Sequence, residues 1–177
     1  MRMRLLIAYS TTDGHTLEIC ERIAHIVRGE GHGVDLCAIE QLSPLTLEAC
    51  DRVVIGASIR YGHHRPVVAA FIARHRAALA ARPNAFFSVN AVGRKPHKRQ
   101  ADTNPYVRKF LSQISWQPQQ VEIFGGRIDY PRYGFFDRNM IRLIMWMTGG
   151  PTDPRSVTDF TDWAQVEAFA RRLLPEV

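Results

Sequence analysis

Apolar and polar positions along the chain change their spacing in a regular way. Short apolar runs predict five strands, at residues 5–9, 34–39, 52–57, 85–90 and 121–126. Apolar residues at helical spacing predict helices at 17–27, from Pro66 onward, at 103–114 and at 162–174, with a short helical turn at 45–50. Strand and helix therefore alternate, which predicts an α/β fold, a doubly wound parallel sheet with right-handed crossovers.

Polar loops follow the strands at one edge of this sheet. Small five-stranded sheets of this kind usually take the strand order 2-1-3-4-5, and their ligands lie beyond the carboxyl ends of strands one and three. The loops at those ends are residues 10–16 and 58–64, with Asn90 and its successors beside them. We therefore expect a binding site at this edge.

The loop after the first strand combines hydroxyl groups, one acid and a glycine. It consists of Ser10, Thr11, Thr12, Asp13, Gly14, His15 and Thr16. Free N–H groups and the positive end of a helix dipole meet there, which favours a phosphate group, although Ser, Thr and Asp are also ordinary helix caps. Neither Gly-x-x-x-x-Gly-Lys nor Gly-x-Gly-x-x-Gly is present, so a mononucleotide is favoured over a triphosphate or a dinucleotide.

One segment, about residues 127–158, falls outside the alternation, and we interpret it as an insert in a single domain spanning 1–177. It contains a predicted helix at 135–148. Apolar residues recur on this helix at Phe136, Met140, Leu143, Ile144 and Met147. This face either packs on the sheet or in a dimer, or lies on a membrane with Trp146 at the headgroup level.

Length and charge narrow the function classes. The chain has 177 residues, 46% of them hydrophobic, which suits one well-filled domain. Its net charge is +6, and residues 60–109 hold eleven Lys and Arg against one acid, so an anionic partner is expected. No apolar run approaches the roughly 18 residues of a membrane span. Three widely spaced cysteines predict neither a disulfide framework nor a metal site, and indicate a reducing, cytosolic setting.

Specific stretches resemble a known family. They are 53–63, Ser88-Val89-Asn90 with Arg94-Lys95-Pro96, Thr103-Asn104 with Tyr106, 108–111, Tyr130-Pro131-Arg132-Tyr133, 140–145 with Gly149-Gly150, and Thr161-Asp162-Trp163. Over nearly its whole length the chain is similar to the flavodoxin-like family, and more specifically to the bacterial protoporphyrinogen IX oxidases that pass electrons to quinones. The resemblance implies FMN as the cofactor and oxidation of protoporphyrinogen IX to protoporphyrin IX in haem biosynthesis. It also implies menaquinone or ubiquinone as acceptor and peripheral attachment to an anionic membrane, on the cytoplasmic side of the inner membrane.

The resemblance also assigns site residues. The loop from Ser10 to Thr16 would hold the FMN phosphate, with Asp13 in a capping or supporting role. The flavin ring would be flanked by Ser58, Ile59, Arg60, Tyr61, Gly62, Ser88, Val89, Asn90, Ala91, Val92 and Gly93. The substrate's propionates would meet Arg94, Lys95, Arg132 and Arg138.

Alternatives remain open at this level. Candidates for a catalytic role are Arg60 and His63, with His63 and His64 as proton carriers, although histidines before a helix are often solvated or capping. A flavodoxin-type electron carrier or a quinone reductase without porphyrinogen chemistry is the alternative function. A nucleic-acid-binding module is disfavoured, because the basic stretch at 94–99 lacks stacking aromatic residues. Sequence leaves a homo-oligomer open.

Overall fold

Five parallel strands form the main sheet of the computed structural model, which describes residues 1–176. With one short antiparallel strand the sheet has six strands, in chain order β1 (Arg4–Ser10), β2 (Gly33–Ala38), β3 (Arg52–Arg60), β4 (His63–His64), β5 (Asn84–Asn90) and β6 (Gln120–Gly125). The parallel order is β2-β1-β3-β5-β6, and the two-residue β4 folds back antiparallel on β3. This is the predicted 2-1-3-4-5 arrangement, so the fold class predicted from sequence is confirmed.

Helices cover both faces of the sheet. They are α1 (His15–Gly29), α2 (Pro44–Glu48), α3 (Pro66–Ala80), α4 (Pro105–Gln113), α5 (Phe135–Thr148) and α6 (Trp163–Arg172). One core joins Leu5 and Ile7 of β1 to α1 and α6, and a second joins Leu6 and Ala8 to α2 and α3. Since neighbouring side chains of β1 enter opposite cores, the apolar run from Leu5 to Ala8 is buried on both faces of the sheet.

The segment after β6 builds a small unit of its own. Strands β7 (Arg127–Asp129) and β8 (Val157–Asp159) pair antiparallel, and α5 lies between them in the chain. A third cluster consists of Ile128, Tyr130, Tyr133, Ile141 and Met145. The residues of this segment outside α5 therefore supply part of the apolar cluster against which α5 packs.

The bounds predicted for α5 are correct, but its apolar positions divide between two surfaces. Ile141 and Met145 are buried in the third cluster. Phe136, Leu143 and Met147, which sequence placed on one packing or membrane-facing side, are exposed, as are Phe135 and Trp146. Among the described residues, no helix combines the length and the apolar character that crossing a bilayer requires.

Candidate functional site

A cavity of about 590 Å³ opens at the carboxyl ends of β1, β3 and β5. Its wall includes three loops that sequence placed at this edge, and α5 covers one side. The lining residues from the predicted set are Thr11, Thr12, Asp13, His15, Thr16, Ser58, Ile59, Arg60, Tyr61, Gly62, Val89, Asn90, Ala91, Val92 and Arg94. The side chains that α5 adds are Met140, Ile141, Ile144, Met145, Met147 and Thr148.

The first loop leaves polar groups free at the start of α1. Gly14 takes a left-handed conformation, with φ of 84°, and its N–H donates to Thr11 Oγ1 at 2.9 Å. Thr16 is only 1% exposed, yet within residues 1–176 its Oγ1 has no hydrogen-bond partner. A buried hydroxyl without a partner is costly, so this one is well placed to bond a ligand.

Of the capping or supporting role expected for Asp13, the structure does not show the capping part. Its carboxylate pairs with Arg60 Nη2, and no side chain of the described residues caps α1. The same guanidinium lies 3.4 Å from Asp137 of α5 through Nη1 and 5.1 Å from the ring centre of Tyr133. Arg60 therefore neutralises the one acid of the first loop and connects that loop to α5.

Tyr61 lies at the turn between β3 and β4 in a conformation that is rare for a bulky residue, with φ of 52°. Its hydroxyl donates to the Asp137 carboxylate. Burial, followed by this hydrogen bond, raises the pKa of Tyr61 to about 12, so the phenol is protonated at neutral pH. Arg60 and Tyr61 both bind Asp137, and these two contacts connect the turn to α5.

Behind the loop after β5 runs a chain of buried polar side chains. His64 Nε2 lies 2.9 Å from Ser88 Oγ, which accepts a hydrogen bond from Asn90 Nδ2 at 3.1 Å. Asn90 Oδ1 in turn accepts from Gly93 N–H at 2.9 Å and from Asn104 Nδ2 at 3.1 Å. This chain fixes the loop whose Ala91 and Val92 line the cavity.

The two histidines assigned to proton transfer lie in different surroundings. Burial, with a smaller effect of His63, lowers the pKa of His64 to about 4, so this side chain is neutral near pH 7. His63 is exposed on β4 and is not among the lining residues. His64 is thus part of the buried chain of polar side chains, and at neutral pH it is uncharged.

Other predicted residues lie beside the cavity rather than on its wall. Ser10 is buried and accepts from Arg65 at 3.4 Å, while Gly93 packs against the backbone of Phe124. Arg94 lines the cavity, but its guanidinium donates to Ala91 O at 2.7 Å and Thr148 O at 3.1 Å. The residues of the predicted set outside the lining are Ser10, Gly14, His63, Ser88, Gly93, Lys95, Arg132 and Arg138.

Sequence reasoning missed several wall residues. Tyr106 at the start of α4 faces Gly62, with 3.2 Å between its ring and the place of a Cβ atom on that glycine. Arg127 pairs with Glu18 at 2.9 Å, and Tyr133 lies under Arg60. Tyr106 and Tyr133 lie in stretches that carry the family resemblance, and this was the available signal. Their spacing along the chain does not show that their side chains line the cavity.

These groups fit a ligand with a phosphate at one end and a flat apolar ring at the other. The phosphate would meet the N-terminus of α1 and the free Thr16 hydroxyl, and a second buried hydroxyl, Ser58 Oγ, is also without a partner in the described part of the chain. Aliphatic and thioether side chains of Ile59, Val92 and Met140 offer an apolar surface for a ring. Polar donors at one end and apolar walls at the other match the two ends of such a ligand.

Comparisons with known proteins agree with this arrangement. Residues 6–155 match the family described as "Flavodoxin domain". The chain is 45% identical over 171 residues to a protein of Escherichia coli (strain K12) named protoporphyrinogen IX dehydrogenase [quinone], covering 97% of this chain and 94% of that protein. A protein of the same name from Leishmania major is 46% identical over 168 residues, covering 94% of this chain and 73% of that protein.

A solved structure supports the fold alone. The flavodoxin, WrbA-like protein from Agrobacterium tumefaciens aligns with a TM-score of 0.51 at 15% identity, over 97% of this chain and 99% of that chain.

Proposed function

This chain belongs to the flavodoxin-domain family, among the protoporphyrinogen IX dehydrogenases [quinone], and from that premise we propose that it oxidises protoporphyrinogen IX to protoporphyrin IX and reduces a quinone. The observation that carries the proposal is the cavity at the sheet edge, where free hydroxyls meet an apolar cover supplied by α5.

We propose FMN as the flavin. When bound, it would accept electron pairs from the porphyrinogen and deliver them to the quinone. Thr11, Thr12 and Thr16 would hold its phosphate, and the loops at 58–62 and 89–92 would flank its ring. The support is the free Thr16 hydroxyl at the N-terminus of a 15-residue helix, because a phosphate is the ligand that such a terminus favours.

The substrate would approach between the flavin-flanking loops and α5. Met140, Ile144 and Met147 give this space an apolar side that suits a tetrapyrrole or a quinone ring. Arg94, Lys95 and Arg138 are the proposed partners of the propionates, because guanidinium and ammonium groups bind carboxylates strongly. Arg94 is held in place by its bonds to Ala91 and Thr148, so its charge has a fixed position at the cavity wall.

We propose further that the protein attaches peripherally to the cytoplasmic side of the inner membrane through the outer face of α5. This face presents Phe135, Phe136, Leu143, Trp146 and Met147 to solvent. So many large apolar side chains on one short helix are unusual for a surface that only meets water. The net charge of +6 favours an anionic bilayer. Met147 both lines the cavity and is exposed, so the outer face continues to the site where a quinone would react.

The experiment is porphyrinogen oxidation by the purified, FMN-loaded protein in the absence of oxygen, followed by protoporphyrin fluorescence. We expect fluorescence to appear only when a quinone is added, with quinol formed as porphyrin forms. A protein that binds FMN and exchanges electrons with quinones but leaves the porphyrinogen unchanged would be a carrier or quinone reductase, and the proposal would be wrong.

A further inference from the structure

Arg132 reaches the first loop from a distant part of the chain. It ends the 3₁₀ turn Tyr130–Arg132, between β7 and α5. Its Nη1 donates to the carbonyl oxygen of Asp13 at 2.6 Å and lies 3.9 Å from the place of a Cβ atom on Gly14. The guanidinium is therefore beside the residues that begin α1, although sequence had assigned Arg132 to the substrate.

Nearby cations already have close carboxylate partners, whereas Arg132 has none at hydrogen-bond distance. Arg60 is paired with Asp13, and Arg127 is paired with Glu18 at 2.9 Å. Within residues 1–176 the carboxylate nearest to Arg132 is that of Asp129, 3.9 Å from Nε, and the side chain is 54% exposed. The guanidinium thus has further N–H donors, and a positive charge without a close carboxylate, with which it could bind an anionic ligand.

We propose that Arg132 is a ligand of the cofactor's phosphate group, a cation that the segment between β7 and α5 adds to the first loop. The inference rests on the proposed FMN and concerns which residues hold it. The first loop supplies hydroxyls, N–H groups and one acid, Asp13, which Arg60 neutralises. A phosphate dianion at the N-terminus of α1 gains from a further positive charge, and a guanidinium fork suits phosphate oxygens.

A second, independent observation marks the ligand's position. Thr16 is buried, lines the cavity and has a hydroxyl without a partner in the described residues. The Thr16 hydroxyl would meet the phosphate from the cavity side, and Arg132 would meet it from the solvent side of Gly14. Cofactor affinity would then depend on the segment that also carries α5.

Comparison of FMN with riboflavin, which lacks the phosphate, tests the assignment. Flavin-free wild type, Arg132→Gln and Arg132→Lys would be titrated with each flavin, following flavin fluorescence. Arg155→Gln is the matched control, because Arg155 is an exposed arginine between α5 and β8. We expect Arg132→Gln to weaken FMN binding about ten-fold and to leave riboflavin binding unchanged. Arg132→Lys should retain part of the FMN affinity, and Arg155→Gln should match wild type.

Unchanged FMN affinity in Arg132→Gln, or an equal loss for both flavins, would overturn the inference while leaving the proposed function intact. If wild type binds neither flavin, the proposed cofactor and this inference both fail. The salt dependence of wild-type binding gives a check that needs no variant. FMN affinity should fall more steeply with ionic strength than riboflavin affinity, and equal slopes would contradict a charged phosphate ligand.

Discussion

Two threonines of the first loop have opposite hydrogen-bonding states, and this difference leads to a paired prediction. Thr11 Oγ1 accepts from Gly14 N–H, whereas Thr16 Oγ1 is buried without a partner in the described residues. We expect Thr11→Val to lower the free energy of unfolding of the flavin-free protein by about 1 kcal/mol, and Thr16→Val to leave it unchanged or raise it. Thr16→Val should nevertheless weaken FMN binding about ten-fold, because it removes a phosphate donor. Urea unfolding and FMN titration measure these quantities.

Thr16→Ser is the control, since it keeps the hydroxyl. It should bind FMN nearly as tightly as wild type. If Thr16→Val retained full FMN affinity, the hydroxyl would not face the phosphate, and the first loop would be an ordinary helix start.

His64 gives a prediction about pH. Its pKa is lowered to about 4 in the folded protein by burial, against about 6.5 in an unfolded chain. Below pH 6.5 the unfolded state therefore binds more protons, and the free energy of unfolding should fall between pH 6.5 and pH 4, by up to about 3 kcal/mol from this residue. Denaturant unfolding at several pH values should show this slope in wild type and a shallower slope in His64→Gln, where His15, whose pKa burial also lowers, still contributes.

His25→Gln provides the comparison, because His25 is an exposed histidine on α1. It should keep the wild-type slope. An unaltered slope in His64→Gln would mean that His64 is not the group that takes up the proton.

Sequence could name the hydroxyl residues of the first loop but not their partners. Thr11, Thr12 and Thr16 stand close together between a strand and a helix, so local pattern is enough to propose a phosphate site. Asp13 pairs with Arg60, 47 positions away, and its carbonyl bonds Arg132, 119 positions away. Such partners depend on tertiary packing, and for that reason sequence could not decide between the capping and the supporting role for Asp13.

At the scale of elements, α5 shows what periodicity can and cannot predict. Its bounds follow from local chemistry, because it starts after Gly134 and ends at Gly149, which is left-handed with φ of 75°. Apolar residues occur around much of its circumference, so their spacing alone did not show which side is buried. The third cluster decides this, since Tyr130 and Tyr133 contact the side that carries Ile141 and Met145.

The outer face of α5 leads to a prediction about membranes. Phe136 and Trp146 are 69% and 73% exposed, so replacing both with serine should change stability little. If these side chains enter a bilayer, the double variant loses burial worth about 1.5–3 kcal/mol per residue. We therefore expect at least about ten-fold weaker cosedimentation with phosphatidylglycerol vesicles and unchanged FMN binding.

Leu45→Ser is the matched control, since Leu45 is 74% exposed on the separate helix α2. It should cosediment like wild type. Equal binding of all three proteins to vesicles would show that the outer face of α5 does not enter the membrane. Its exposed apolar side chains would then be a surface for another partner.

At the scale of the whole molecule, the parallel sheet was predictable and the cover over its ligand edge was not. The alternation of strands and helices predicts the parallel sheet, and the order usual for small sheets of this kind predicts the strand order. The position of the cavity follows from that order. The cover depends on Asp137, which binds both Arg60 and Tyr61, and on Arg94, which holds the other end of α5 at Thr148. These contacts join residues more than 50 positions apart, and no local pattern specifies them.

The same contacts lead to a last prediction, that cofactor binding in the cavity also stabilises α5 against hydrogen exchange. FMN at about 100 times its dissociation constant should stabilise the folded protein by about 2.7 kcal/mol. Because Asp13, Arg60 and Asp137 connect the first loop to α5, we expect hydrogen exchange to slow in α5 as well as in residues 11–16. In Asp137→Ala the slowing should persist in the loop and largely disappear from α5. Slowing confined to the loop in wild type would show instead that α5 opens independently of the cofactor.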